Sequence, residues 1–126
     1  VRKAREYNQK SIEAGRCRIV LGDVSSLDLD ADAFDLATAF ETIYFWPGLT
    51  KCFGQVARAL RPGGIFLIAN ECDGLDAVGK KFEKIIDGMR CYTAEEIQAE
   101  LRKAGFSKVK AIHHPSRPWI AVLAKK

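Results

Sequence analysis

The chain has 126 residues, 48% of them hydrophobic and 29% charged, with a net charge of +4, which describes an ordinary globular domain able to bury a core without disulfide staples. No apolar run approaches the roughly 20 residues needed to cross a bilayer, and residues 1–16 alternate in charge where a secretory leader needs an apolar stretch. Cys17, Cys52, Cys72 and Cys91 show no C-x-x-C pair and no zinc-like histidine spacing, and the basic segment 102–126 carries no recognised nucleic-acid motif, so a cytoplasmic domain with reduced thiols, no metal, no nucleic acid and no membrane partner is expected.

Residues Arg2 to Ala14, rich in Arg, Lys, Glu, Gln and Ala, read as a helix closed by Gly15. Arg18-Ile19-Val20-Leu21 then reads as a short strand ending at Gly22-Asp23-Val24. Across residues 25–33 a loop tucks Leu27 and Leu29 inward between Asp28, Asp30 and Asp32. Leu36 to Phe40 is almost wholly apolar, which predicts a strand buried on both faces with parallel neighbours. Tyr44-Phe45-Trp46 packs three aromatics behind it, Phe45 as core.

After Pro47-Gly48, Leu49, Cys52, Phe53, Val56, Ala57 and Leu60 recur at the spacing of one helix face. Arg61-Pro62-Gly63-Gly64 stops that helix, and Ile65 to Ala69 is the next strand, completing a right-handed βαβ unit. A looser helix covers Val78 to Asp87 with Phe82, Ile85 and Ile86 inward. Thr93-Ala94-Glu95-Glu96 is a capping box opening a helix that runs to Gly105. Lys108 to His113 and Trp119 to Ala124 are strands too close in sequence for a parallel crossover, so they pair antiparallel.

Gly22-Asp23-Val24, Phe34-Asp35-Leu36, Leu60-Arg61-Pro62-Gly63-Gly64 and Ala104-Gly105-Phe106, in this order and spacing, resemble the C-terminal two-thirds of class I S-adenosylmethionine-dependent methyltransferases, over about Ile19 to Ala124. The resemblance implies an α/β fold with a Rossmann-like, doubly wound sheet, mostly parallel, closing in an antiparallel C-terminal hairpin. Residues 1–126 would form a single partial methyltransferase domain supplying the family's third to seventh strands. The family's first two strands and glycine-rich loop have no counterpart here, so an N-terminally truncated domain is expected. The apolar edge from Leu36 to Phe40 should then be exposed and able to pair with a second copy as a homodimer.

The same resemblance implies roles for particular residues. Asp23 would accept a hydrogen bond from the adenine amino group of S-adenosylmethionine, the Val24 backbone would face the ring, and Phe40 would complete the cofactor wall. Glu41 and Tyr44 stand where the sulfonium and the methyl acceptor meet, as catalytic candidates, with Tyr44 and Trp46 lining the acceptor. Asp35 braces its strand, and His113 and His114 are structural. The expected reaction is methyl transfer to a small molecule in the intact protein, the isolated chain being inactive. Two other readings are weighed beside it: a nicotinamide-dependent reductase of Rossmann type, disfavoured by the closing hairpin and the lack of a Tyr-x-x-x-Lys pair, and a non-catalytic interaction domain assembling through sheet edges.

Overall fold

A computed structural model describes residues 1–126. The helix formers at the N-terminus wind into α1 (Arg2–Tyr7) and α2 (Gln9–Glu13), separated at Asn8, whose side-chain amide donates to the Ala4 carbonyl at 2.9 Å. Gly15 ends them at φ +69°, its N–H reaching the Ile12 carbonyl while that of Arg16 reaches Ser11, the paired bonds of a Schellman motif. No residue of either helix is buried.

The strand expected at Arg18 to Leu21 does not form. The segment is irregular, Val20 and Leu21 are exposed, and no strand lies alongside to take its backbone hydrogen bonds. The sheet has four strands, β1 (Phe34–Phe40), β2 (Leu60–Asn70), β3 (Lys108–His113) and β4 (Ile120–Lys125), in the order β1-β2-β4-β3. β1 and β2 run parallel and are joined through α3 (Leu49–Ala59), whereas β4 is antiparallel to both β2 and β3. The result is a mixed open α/β sheet that closes in the antiparallel hairpin implied by the sequence. β2 starts before Ile65, because Arg61-Pro62-Gly63-Gly64 bulges out of the ladder between the pairs Phe34–Leu60 and Leu36–Ile65, with Gly63 at φ +82°.

Strand alternation sends Ala39, Phe66, Ile68, Ile120, Val122 and Ala124 to one face of the sheet. There α3 contributes Leu49, Phe53, Val56 and Ala57, and α5 (Ala94–Lys103) contributes Ala94, Ile97 and Leu101. The capping box of α5 is present with both bonds: the Thr93 hydroxyl accepts the Glu96 N–H at 3.2 Å, and the Glu96 carboxylate accepts the Thr93 N–H at 2.9 Å. Leu36, Phe40 and Ile112 face the other side, which no helix covers, and they are exposed. β1 is therefore buried on one face only. Its apolar run sets a preference for cover, but no helix supplies it on the second face. Leu27 and Leu29 are half-buried against this part of the molecule, as the loop pattern implies.

The fourth helix, α4 (Ala77–Ile85), is turned differently from expectation. Gly79 is its buried residue, and a Cβ there would meet the Cys72 sulfur at 1.9 Å, so only glycine lets the helix approach so closely. That contact sets the rotation, leaving Phe82, Ile85 and Ile86 exposed instead of inward. No helix in the molecule is long and apolar enough to cross a membrane.

Candidate functional site

Because β1 and β2 are parallel, their C-terminal ends emerge at one rim. The antiparallel register Asn70–Ile120 returns the β3–β4 turn to the same rim. Between these elements lies a hollow of about 530 Å³, with Phe40, Ile112 and Trp119 as apolar wall and Glu41, Glu71 and His114 among its polar groups. Trp119 is braced from two sides, by the Arg117 guanidinium 4.6 Å above its ring and by His114 edge-on at 5.2 Å. The Asn70 side-chain amide at this rim is buried, with neither its nitrogen nor its oxygen hydrogen-bonded.

Glu41 leaves β1 at φ +54°, in the left-handed region that a residue with a Cβ enters at a cost of about 1–3 kcal/mol. Its N–H still closes the ladder to the Ala69 carbonyl at 3.0 Å. Its carboxylate accepts the Glu71 N–H at 2.6 Å and the Tyr44 hydroxyl at 3.3 Å from both oxygens. One side chain thus ties the end of β1, the 3-10 turn Ile43–Phe45 and the end of β2 into a fixed arrangement.

Tyr44 is buried beside Cys72, Cys91 and Met89, and its carbonyl accepts the Arg90 N–H at 2.9 Å. Burial, reinforced by the negative charge of Glu41, pushes its phenol far above the usual range. It is therefore a hydrogen-bond donor that orients Glu41, and not itself a base. Burial likewise raises the thiols of Cys72 and Cys91, which removes them as nucleophiles. All four cysteines are free. No group of three or more His, Cys, Asp or Glu is placed to hold a metal ion.

Trp46 lies outside the hollow. Half-buried, its ring stacks on Phe66 at 6.3 Å with an interplanar angle of 8° and meets Phe53 edge-on at 6.0 Å, packing against the core. Phe45, expected in the core, is exposed, because within the tight 3-10 turn Ile43 and Tyr44 take the inward positions.

Asp23 caps the 3-10 turn Val24–Ser26 by accepting the Ser25 N–H at 2.7 Å. The Ser25 hydrogen bonds, with Lys51 nearby, hold its carboxyl below the usual carboxylate range. This turn packs on α3, with Val24 half-buried. The structure therefore brings Phe40, Glu41 and Tyr44 together. Asp23 and Val24 stand beside the first turn of α3, sharing neither a hydrogen bond nor the hollow with them.

Sequence reasoning reached Glu71 only as the start of a variable acceptor-contacting segment, Glu71 to Tyr92, missed Trp119 and set His113 and His114 aside, although all four residues Glu71, His113, His114 and Trp119 line the hollow. A signal was available in the topology: a hairpin antiparallel to β2 must turn at the end where β2 finishes.

Residues 1–68 match the family profile described as a methyltransferase domain. The chain is 27% identical over 133 residues to 24-methylenesterol C-methyltransferase 2 of Oryza sativa subsp. japonica, a match covering 94% of this chain and 36% of that protein. It is 33% identical over 64 residues to sterol 4-C-methyltransferase strm-1 of Caenorhabditis elegans, covering 48% of this chain and 19% of that protein. The chain thus spans about a third or less of the length of these curated relatives. Among solved structures, an S-adenosylmethionine-dependent methyltransferase from Thermotoga maritima superposes with a TM-score of 0.75 at 24% identity, over 92% of this chain and 68% of that one. The [4+2]-cyclase SpnF superposes equally well, with a TM-score of 0.75 at 18% identity over 98% of this chain and 60% of that one. Shape alone therefore does not choose the reaction.

Proposed function

Because this chain belongs to the methyltransferase domain family, we propose that the protein carrying it transfers a methyl group from S-adenosylmethionine to a small, largely apolar acceptor of the sterol kind. The observation that carries this reading is the meeting, at one sheet rim, of a constrained carboxylate, Glu41, with an apolar-walled hollow of about 530 Å³. The likeness to sterol methyltransferases supports the acceptor class.

When bound, S-adenosylmethionine supplies a methyl group activated on a positively charged sulfur. The residues present suit its nucleoside end. Asp23 is an ionised acceptor already oriented by Ser25, as an adenine amino group requires, and the Val24 backbone flanks that position. Phe40, at the end of β1, offers an exposed aromatic face that tolerates a neighbouring cation.

The chain's other residues would act on the acceptor. Phe40, Ile112 and Trp119 exclude water and align an apolar body, and alignment of this kind can supply as much as about 7–11 kcal/mol of a barrier. Glu41 would receive the proton that the acceptor releases, on a carboxylate oxygen. The Tyr44 hydroxyl and the Glu71 N–H hold that carboxylate in place.

The reading is tested by incubating the full polypeptide that carries these residues with methyl-labelled S-adenosylmethionine and two acceptor panels, sterols and water-soluble amines. Label should enter the sterols roughly tenfold or more faster than the amines. Label confined to amines would overturn the acceptor class, and bound cofactor with no label in either panel would overturn the transfer itself.

A further inference from the structure

Everything that holds α4 acts from one side of it. The Asp76 carboxylate caps it by accepting the Gly79 N–H at 2.7 Å, Gly79 lies against the thiols of Cys72 and Cys91, and the Glu83 carboxylate accepts the Cys91 N–H at 2.6 Å. The helix's only acidic residue is thereby turned inward.

The other side is bare. Val78, Phe82 and Ile85, at i, i+4 and i+7, form one stripe exposed by 62, 45 and 65%, and Leu75 just before the helix is 67% exposed. Lys80, Lys81 and Lys84 are also exposed, and none of them enters an ion pair. The nearest unengaged acid is Asp87, beyond the helix end.

We propose that α4 docks in the plane of an anionic lipid bilayer, with Leu75, Val78, Phe82 and Ile85 entering the headgroup boundary and Lys80, Lys81 and Lys84 meeting anionic headgroups. Charge selects this occupant: an apolar groove on a protein would satisfy the stripe but leave unpaired the ammonium groups of Lys81 and Lys84 on its flank and of Lys80 on the helix's far side. At nine residues the helix is about 13 Å long, enough to lie in the interface and far too short to span it.

The placement gives docking a consequence. The excursion that carries α4 leaves the hollow at Glu71 and ends near Arg90, whose N–H bonds the carbonyl of Tyr44, the residue whose hydroxyl holds the hollow's Glu41. A docked α4 therefore brings the hollow to the surface in which an apolar molecule dissolves. The inference stands on α4 itself and goes beyond the acceptor assignment, because headgroup binding needs no acceptor.

The test is co-sedimentation of the full polypeptide with vesicles of phosphatidylcholine alone and of phosphatidylcholine with one-third phosphatidylserine. Binding should favour the anionic vesicles by roughly tenfold or more, and K80Q/K81Q/K84Q and, separately, Phe82→Ser should each reduce it by about that factor. The exposed sheet face could itself adsorb lipid, so Leu36→Ser serves as the comparison and should leave binding unchanged. Circular dichroism establishes that each variant is folded. Equal binding to neutral vesicles, undiminished binding by the lysine variant, or loss only in Leu36→Ser would overturn the proposal. Self-association without lipid that Phe82→Ser abolishes would do the same, assigning the stripe to a second copy of the chain. Labelled transfer to sterols is read independently, so either proposal can fail alone.

Discussion

Glu41→Gln is expected to lower kcat for methyl transfer by about 10²–10⁴ while leaving cofactor affinity within about twofold. The amide has the shape of the carboxylate, and its oxygen can still accept the Glu71 N–H and face the Tyr44 hydroxyl. The unusual backbone at φ +54° is unaffected by the exchange. What disappears is the capacity to hold a proton. Tyr44 cannot substitute, because burial keeps its phenol protonated across the working range. Rates measured with labelled cofactor, beside equilibrium binding of S-adenosylhomocysteine, separate the two effects. A kcat within about threefold of the parent would remove Glu41 from the chemistry and leave it a structural tie.

Phe66→Ala is expected to cost about 3–5 kcal/mol, a large part of the roughly 5–15 kcal/mol that holds a domain of this kind together. Phe66 is fully buried on β2 and is the meeting point of the aromatic core. It stacks with Trp46, meets Phe53 edge-on at 5.6 Å, and tilts against Phe106 at 5.9 Å. Those three come from the segment after β1, from α3 and from the start of the hairpin, so one truncation loosens three connections at once. A thermal midpoint lower by roughly 10–25 °C should follow, with Phe66→Leu showing a much smaller shift. A loss under about 3 °C for the alanine variant would mean that the aromatic cluster does not carry the core.

Some elements were legible because their signal is local. Five of the six apolar positions read at helical spacing lie in α3, the sixth, Leu60, opening β2, and the Thr93–Glu96 box fixes the start of α5. The short link between the last two strands leaves only an antiparallel pairing. The failures share a cause: an apolar pattern reports what a segment would bury, not what covers it. Arg18 to Leu21 reads as a strand and finds no neighbour, and β1 reads as buried on both faces and is covered on one. In α4 the decisive residue, Gly79, contributes nothing to periodicity, yet its fit against Cys72 turns Phe82 and Ile85 outward.

The site was legible only in part. The resemblance singled out Glu41, Tyr44 and Phe40, which the structure brings together. It also singled out Trp46, whose ring is committed to Phe66 and Phe53. Trp119 escaped notice and His114 was set aside because they reach the hollow from a distant hairpin, through a register that no local pattern encodes.

If the hollow receives the methyl acceptor, filling it must impair transfer without touching the cofactor. Ala121 lies in the wall of the hollow, on β4, among residues of the sheet face that no helix covers. Ala121→Trp would fill the space without entering the packed core, so the direct measurement is steady-state transfer by this variant beside cofactor binding. The acceptor KM should rise by roughly tenfold or more with S-adenosylhomocysteine affinity unchanged. An unaltered KM, or lost cofactor affinity with acceptor kinetics intact, would contradict the account.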